Sequence, residues 1–262
     1  MGDHDHWLSV LLPDAWHAFE AYFAEGLARD WTWMMFQATH FTMTHVVSAI
    51  IGCILVLVAT ARYRAHLAAS NGGVLPPSRF TLAAMIDGFV GACYRYSADV
   101  MGEEDAKRFL PFIGTLALFI FTCNIQGLIP GFLPATDTLK TNLALAAIVF
   151  VVYNVVGVWR NGLSYLAHFL GPKIGGFYWM APLMLPIEIV SHFVRPVSLA
   201  LRLMGNILAD HKVLGVVMGL FALVVPVPFL LLGTLVAIVQ TLVFTLLTIV
   251  YIGLALEHAE DH

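Results

Sequence analysis

The side chains able to carry proton or ion chemistry are concentrated in one short part of this 262-residue chain. Seven residues of the types Asp, Glu, Lys and Arg occur between Thr141 and Leu256, and five of these seven lie within 25 consecutive residues. At 100° per residue, the polar residues of this segment recur at steps of three or four and stay within about 120° of arc. They predict one helix with one polar face, which we call the polar stripe: Glu188, Ser191, Arg195, Ser198, Arg202, Asn206 and Asp210.

The polar stripe has two interpretations. An ordinary amphipathic helix with one wet face would explain a single arginine among apolar residues. The stripe, however, mixes both charge signs with serine and asparagine, and Gly205 and Ala209 are small enough for another surface to approach closely. Ionisable residues at membrane depth line substrate or ion pathways. If the apolar flanks lie in lipid, the stripe is therefore predicted to line such a pathway.

An arginine such as Arg202 is suited to one task in such a pathway. A guanidinium group stays protonated at any physiological pH, so it cannot itself carry a transported proton. It lowers the pKa of a carboxyl group that comes close by about 1–3 units. Arg202 is therefore predicted to make a carboxylic acid release its proton, whereas a buried lysine could shed its own proton instead.

The composition shows which solvent surrounds these residues. The chain is 60% hydrophobic and 11% charged, with a mean hydropathy of +0.83, which excludes a soluble single domain. Thirteen basic against 17 acidic residues give a formal charge of −4, which argues against nucleic-acid binding. Three separate cysteines offer neither a disulfide framework nor a CxxC motif. The chain is predicted to be an all-α integral membrane protein.

Charge-free intervals locate the membrane spans, because a spanning helix needs about 20 mostly apolar residues. Four such intervals occur, at 31–61, 109–136, 141–159 and 213–256. The first is predicted to contain a helix from about Thr42, and the second to end near Pro130. With the polar stripe, they predict about five to six membrane helices in a single membrane domain, 1–262. Further helices are predicted at the membrane interface over 14–30 and 79–102, and Pro196 is predicted to bend or break the stripe helix.

Basic residues near span ends predict the orientation. The connection 62–108 holds six of the 13 basic residues, whereas 130–140 holds a single lysine. The connection 62–108 is therefore predicted to be cytoplasmic, and the N-terminal segment 1–40 and the loop 130–140 external. The acidic start of the chain does not resemble a secretory signal, so we expect it to be retained.

The run from Pro196 to Asp210, Pro-Val-Ser-Leu-Ala-Leu-Arg-Leu-Met-Gly-Asn-Ile-Leu-Ala-Asp, closely resembles the signature of subunit a of the F-type ATP synthase membrane sector. Further matches lie at Asn124–Pro130, Pro186–Glu188 and Gln240–Tyr251. The resemblance extends from about residue 40 to the C-terminus.

The resemblance implies a stator that stands beside a rotating c-ring whose subunits each carry a mid-membrane carboxyl group. Arg202 would be the essential arginine that displaces protons from the c-ring carboxylates, between two aqueous half-channels. A long, strongly tilted helical hairpin over 177–256 would face the ring. The implied proton pathway is formed by Glu188, Ser191, Asn206, Asp210, His211, Gln240 and Asn124.

The resemblance also implies the setting of the chain. Its partners would be the c-ring, the peripheral-stalk b subunits and other ATP synthase subunits, in the inner membrane of a bacterium. ATP chemistry would occur on those other subunits, since the chain has no Walker-type glycine loop. We expect the chain not to be an enzyme by itself and to need neither a cofactor nor a metal.

One departure from the family pattern concerns the proton relay. Many members have glutamate where this chain has His211, and others pair a histidine there with an acid at the position of Gly233. This chain has no acid at Gly233, so the relay is expected to use His211 with Asp210 or Glu188, or to depend on water. Histidine suits a relay because its unperturbed pKa is about 6.5.

An alternative function is a self-contained, ion-coupled secondary transporter, and a membrane enzyme comes third. A transporter would predict internal pseudo-symmetry, which the sequence lacks. The sequence does not decide between protons and sodium ions, nor the size of the ring, nor whether 174–185 is a membrane helix.

Overall fold

The computed structural model describes residues 11–27, 44–69, 81–129, 132–162, 181–220 and 226–257, and these ranges contain helices and connections but no strand. Seven α-helices and one 3-10 turn, Ala135–Asp137, are found there. The helices are α1 Pro13–Leu27, α2 Thr44–Ala69, α3 Leu82–Met101, α4 Glu103–Gln126, α5 Leu139–Asn161, α6 Ala181–Leu220 and α7 Pro226–Glu257.

Five of these helices, α2 and α4 to α7, are long and apolar enough to cross a membrane. This finding confirms the predicted all-α multi-pass fold. The first span begins at Thr44, close to the predicted Thr42, and α4 ends at Gln126, before Pro130. The helices predicted over 14–30 and 79–102 are present as α1 and α3, while the interval 174–185 is described only from Ala181.

Gly102 joins α3 to α4 in a tight turn. Its φ of 81° and ψ of 163° lie in a region that only glycine enters readily. Directly after it, α4 opens with Glu103, Glu104 and Asp105, whose negative charges favour the positive end of the helix dipole. The turn allows α3 to fold back against both α4 and α7.

The helix α6 carries the whole polar stripe and runs through Pro186 and Pro196 without interruption. The predicted break near Arg195 is therefore wrong. A proline removes one N–H from a ladder of 40 residues, and Leu199 and Leu203, just beyond it, are fully buried against neighbouring helices. Packing on both sides of the proline keeps the helix continuous.

The charge-free interval 213–256 is divided between two helices: α6 ends at Leu220 and α7 begins at Pro226. At 1.5 Å per residue, α6 and α7 are about 60 Å and about 48 Å long, well above the ~30 Å of a hydrocarbon core. The two helices pack against each other, and both pack against α5. Their shared core includes Ile113, Ile120, Val149, Leu199, Leu203, Phe244 and Ile249.

Candidate functional site

Arg202 lies on α6 with its side chain exposed. Around it, the same helix presents an exposed apolar surface: Val190, Phe193, Val194, Val197, Leu201 and Leu208. In the described part of the chain, the Arg202 guanidinium forms no ion pair. A charge left without a partner in an apolar surface at membrane depth is costly. The Arg202 guanidinium is accessible at the surface of this chain.

Asn206 and Gln240 connect the two long helices one turn beyond Arg202. The Asn206 side-chain amide donates to Oε1 of Gln240 over 2.6 Å. Gln240 is buried, and its Nε2 has no hydrogen-bond partner among the described residues. Asn206 and Gln240, two residues of the proton pathway that the family resemblance implies, thus contact each other across α6 and α7.

Asn124 belongs to a buried chain of hydrogen bonds next to this pair. Its amide donates to Oγ1 of Thr241 at 3.3 Å, and its carbonyl oxygen accepts from Thr136 at 3.0 Å. Asn142 donates to the Thr136 backbone carbonyl at 2.7 Å. The sequence pattern did not single out Thr136, Asn142 or Thr241 as site residues. Polar side chains within or beside apolar spans could have indicated them.

Asp210 and His211 are neighbours in sequence but contact different helices. The Asp210 carboxylate lies against Gly233 of α7, and the His211 imidazole lies against Gly127, just after α4. Asp137, in the 3-10 turn that precedes α5, is the acidic residue of another element whose charge acts on the His211 imidazole. We call Asp137, Asp210 and His211 the Asp210 cluster.

A second polar group lies near the start of α6. Arg195 pairs with Glu188 over 3.8 Å and lies over the Tyr251 ring of α7, 5.8 Å from its centre. Between them, buried His192 lies 2.8 Å from Oδ1 of Asn154 on α5. We call Glu188, His192, Arg195 and Asn154 the Glu188 cluster. Half-buried Ser191 lies beside it on the stripe. The sequence pattern did not indicate that His192 belongs to this group.

The two clusters lie on opposite sides of Arg202. Fourteen residues separate Glu188 from Arg202, and eight separate Arg202 from Asp210, which correspond to about 21 Å and about 12 Å along a helix. Glu188 is therefore about 35 Å from His211 along α6 and cannot exchange a proton with it directly. Of the two acids considered as partners for His211, only Asp210 lies beside it.

The sequence pattern of one protein family, ATP synthase A chain, matches residues 41–253. The protein named ATP synthase subunit a of Sorangium cellulosum is 45% identical over 209 residues, 80% of each chain. Its namesake from Bdellovibrio bacteriovorus is 38% identical over 234 residues, 89% of this chain and 99% of the relative. ATP synthase subunit a 1 of Syntrophotalea carbinolica is 50% identical over 165 residues, 63% of this chain and 68% of the relative.

Proposed function

The chain belongs to the ATP synthase A chain family, and from this premise we propose that it is the proton-translocating stator subunit of an F-type ATP synthase. In this role it guides protons through two half-channels and couples their flow to rotation of a c-ring. The observation that carries the proposal is Arg202, an exposed guanidinium on an apolar surface with no ion pair among the described residues.

The proposed chemistry is a change of ion-pair partner. A protonated carboxyl group of the ring that arrives at Arg202 loses its proton because the nearby guanidinium stabilises the carboxylate. The positive charge also prevents a proton from passing directly between the half-channels. The proton must therefore travel around with the ring before it can leave on the other side.

The two polar clusters are the proposed ends of the half-channels. The Asp210 cluster, with Asn206, Gln240 and Asn124, forms the external half-channel. The Glu188 cluster, with Ser191, forms the cytoplasmic one. Each cluster supplies hydrogen-bonding groups within otherwise apolar helices. Ionisable side chains in such helices carry a large free-energy cost of insertion and are found where they line ion pathways.

The orientation follows from the basic residues in the connection 62–108, which we place in the cytoplasm. Two contacts support placing the start of α4 and the ends of α5 and α7 at the same depth in the membrane. Arg160 of α5 pairs with Asp105 of α4 at 3.3 Å, and Asn161 donates to the Ala255 carbonyl of α7. The N-terminal segment and the loop 130–140 are then external, in a bacterial inner membrane.

The exposed face of α6 is the proposed contact with the c-ring. The b subunits of the peripheral stalk and the remaining ATP synthase subunits are the other proposed partners. The membrane potential supplies the driving force, since a proton that crosses it releases about 2.3 kcal/mol per 100 mV. This chain determines the path. No ATP-binding role is proposed for it.

Replacement of Arg202 tests the proposal. In membranes that contain the whole ATP synthase, we expect Arg202→Ala to abolish proton-driven ATP synthesis while the complex still assembles. Arg202→Lys should also fail to support synthesis, because a lysine in an apolar site can release its own proton. Arg64→Ala, which removes an exposed basic side chain of α2, is the matched control and should leave synthesis unchanged.

Assembly is checked by co-purification of the variant chain with the ring and the soluble ATPase subunits. Continued synthesis in Arg202→Ala contradicts the proposed role of the arginine. Solute transport by the isolated chain in liposomes would instead support a self-contained transporter.

A further inference from the structure

We propose that the start of α4 and the end of α5 form a binding site for an anionic phospholipid. Arg108 and Trp159 bind its headgroup, and an apolar groove between α2, α4 and α5 holds one of its acyl chains. The inference goes beyond the proton path of the proposed function and uses only its orientation, which places these helix ends at the cytoplasmic leaflet. It assigns a ligand to residues that belong to neither polar cluster.

Three basic residues lie at these helix ends, and they differ in their ion pairing. Lys107 lies 3.7 Å from Glu103, and Arg160 lies 3.3 Å from Asp105. Arg108 is exposed and forms no ion pair with any residue that the structure describes. Its positive charge is therefore the one at this pair of helix ends that an acid of the same described segments does not neutralise.

Arg108 contacts an aromatic ring in place of an acid. The central carbon of its guanidinium lies 4.5 Å from the centre of the Trp159 ring, and 67% of Trp159 is exposed. A guanidinium stacked on an indole keeps its N–H donors at the edge of its plane, where they match the oxygens of a phosphate group. Tryptophan at a membrane interface lies at the depth of the lipid headgroups. The pair therefore presents phosphate-binding donors at headgroup depth.

An apolar groove continues from Arg108 along the same face of α4. Arg108, Phe112, Thr115 and Phe119 recur at steps of four, three and four, so they stay within about 60° of arc. Arg108 and Phe119 are about 16 Å apart along the helix, which is about half of the ~30 Å hydrocarbon core and matches one leaflet. The groove has a volume of about 390 Å³, and its lining includes Phe112, Thr115 and Phe119 of α4, Cys53, Val56 and Leu57 of α2, and Leu145 of α5.

The deep end of the groove lies where α2 packs closely on α4. A Cβ atom added to Gly52 would lie 3.0 Å from Sγ of Cys123 and 3.6 Å from the Phe119 ring, so the two helices leave no room between them at this point. Next to this contact, the exposed side chains of Cys53 and Leu57 form the α2 wall of the groove. A chain that enters from the headgroup end therefore ends after about the thickness of one leaflet.

The free cation and the groove together select the ligand. A zwitterionic phospholipid offers the same acyl chains, but its own ammonium group competes with Arg108 for the phosphate. Inorganic phosphate offers the charge but leaves the groove empty. One basic side chain near an anionic membrane surface strengthens binding about fivefold. The site therefore prefers an anionic phospholipid to either of these.

Photolabelling of the purified, intact ATP synthase tests the site. The complex is reconstituted in phosphatidylethanolamine vesicles that contain a small fraction of phosphatidylglycerol with a diazirine in one acyl chain. Mass spectrometry should find lipid adducts on residues 112–119, about fivefold fewer in Arg108→Gln and unchanged in Lys107→Gln. Lys107→Gln is the matched control, because it removes the same charge from the adjacent position, which is ion-paired.

Competition identifies the ligand. Unlabelled phosphatidylglycerol should displace the adducts, whereas added phosphatidylethanolamine and inorganic phosphate should not. Equal displacement by phosphatidylethanolamine would overturn the charge selectivity, and displacement by inorganic phosphate would assign the cation to a free anion instead. Equal labelling of Arg108→Gln and the wild-type complex would overturn the headgroup site. A lack of adducts on residues 112–119 would overturn the groove, and this is the result expected if a helix of another subunit fills it.

Trp159→Leu keeps the inference testable if Arg108→Gln fails to assemble. It should also lower the labelling of residues 112–119, because the Arg108 guanidinium loses the ring on which it stacks. Unchanged labelling in this variant contradicts the site. Arg202→Ala should label like the wild-type complex, so a failure of the proposed function and a failure of the lipid site are observed in separate measurements.

Discussion

Arg202 differs from Arg160 and Arg195 in its ion pairing. Arg195 has Glu188 within 3.8 Å, and Arg160 has Asp105 within 3.3 Å. Arg202 has no such partner in the described residues and lies on an apolar surface. An unpaired charge at the centre of a membrane helix costs about 2.5–3.5 kcal/mol on insertion scales. In the proposed function, a carboxylate from a neighbouring subunit would relieve this cost, which would favour its encounter with Arg202.

The Asn206–Gln240 hydrogen bond connects α7 to the turn of α6 that follows Arg202. Replacing Asn206 by leucine leaves the buried Gln240 side chain without this partner, at a cost of about 1–3 kcal/mol, and replacing Gln240 removes the same contact from α7. We expect Asn206→Leu and Gln240→Leu each to lower the initial rate of ATP-driven proton pumping several-fold, and the double variant to be no worse than the poorer single one.

Fluorescence quenching in inverted vesicles measures these pumping rates. Thr234→Val is the control, because the Thr234 hydroxyl donates to the Leu230 carbonyl within α7 and does not connect that helix to α6. Losses that multiply in the double variant would show that the two amides act independently.

At the scale of the helix, the continuity of α6 is the main correction to the sequence-based expectation. The polar stripe could be predicted because a three-to-four residue spacing is a local property. Pro196 was predicted to bend or break the helix because proline is a local signal as well, and the continuous helix overturns the break. The outcome depended instead on packing against α5 and α7, which involves residues far away in sequence.

The turn at Gly102 offers a test at this scale. Its φ of 81° is a conformation that costs other residues about 1–3 kcal/mol. We therefore expect Gly102→Ala to lower the thermal stability of the purified complex or the amount of assembled chain. Gly91→Ala, in the interior of α3 where an added Cβ atom would meet no neighbour within 4 Å, is the control and should be neutral or stabilising. Equal behaviour of the two variants would contradict the assigned strain.

At the scale of the molecule, the distribution of charge predicted the approximate bounds of the first three spans, whereas the last two followed from the polar stripe together with the long interval 213–256. The contacts between spans did not. His192 meets Asn154 across 38 positions, and Asn124 meets Thr241 across 117. The fit of Asp210 against Gly233 is likewise a tertiary feature, so the missing side chain at 233 could be recognised from the sequence, whereas the group that fills its space could not.

The orientation of the whole molecule has its own test. With the native cysteines replaced by alanine, a membrane-impermeant thiol reagent should label Lys140→Cys from the outside of intact cells. Lys107→Cys should react only in inverted vesicles, since it lies in the proposed cytoplasmic connection. Reversed labelling of the pair would reverse the proposed positions of the two half-channels.

The unbroken course of α6 has a mechanical consequence. In the proposed function, every ring carboxylate that meets Arg202 would exert a sideways force on that side chain. A helix interrupted at Pro196 would concentrate the force on a short segment and allow it to swing. A continuous helix of 40 residues, packed against α5 and α7, distributes the load along its length. In the proposed stator, the stiffness of this one helix would therefore determine how much of each rotational step is lost to bending.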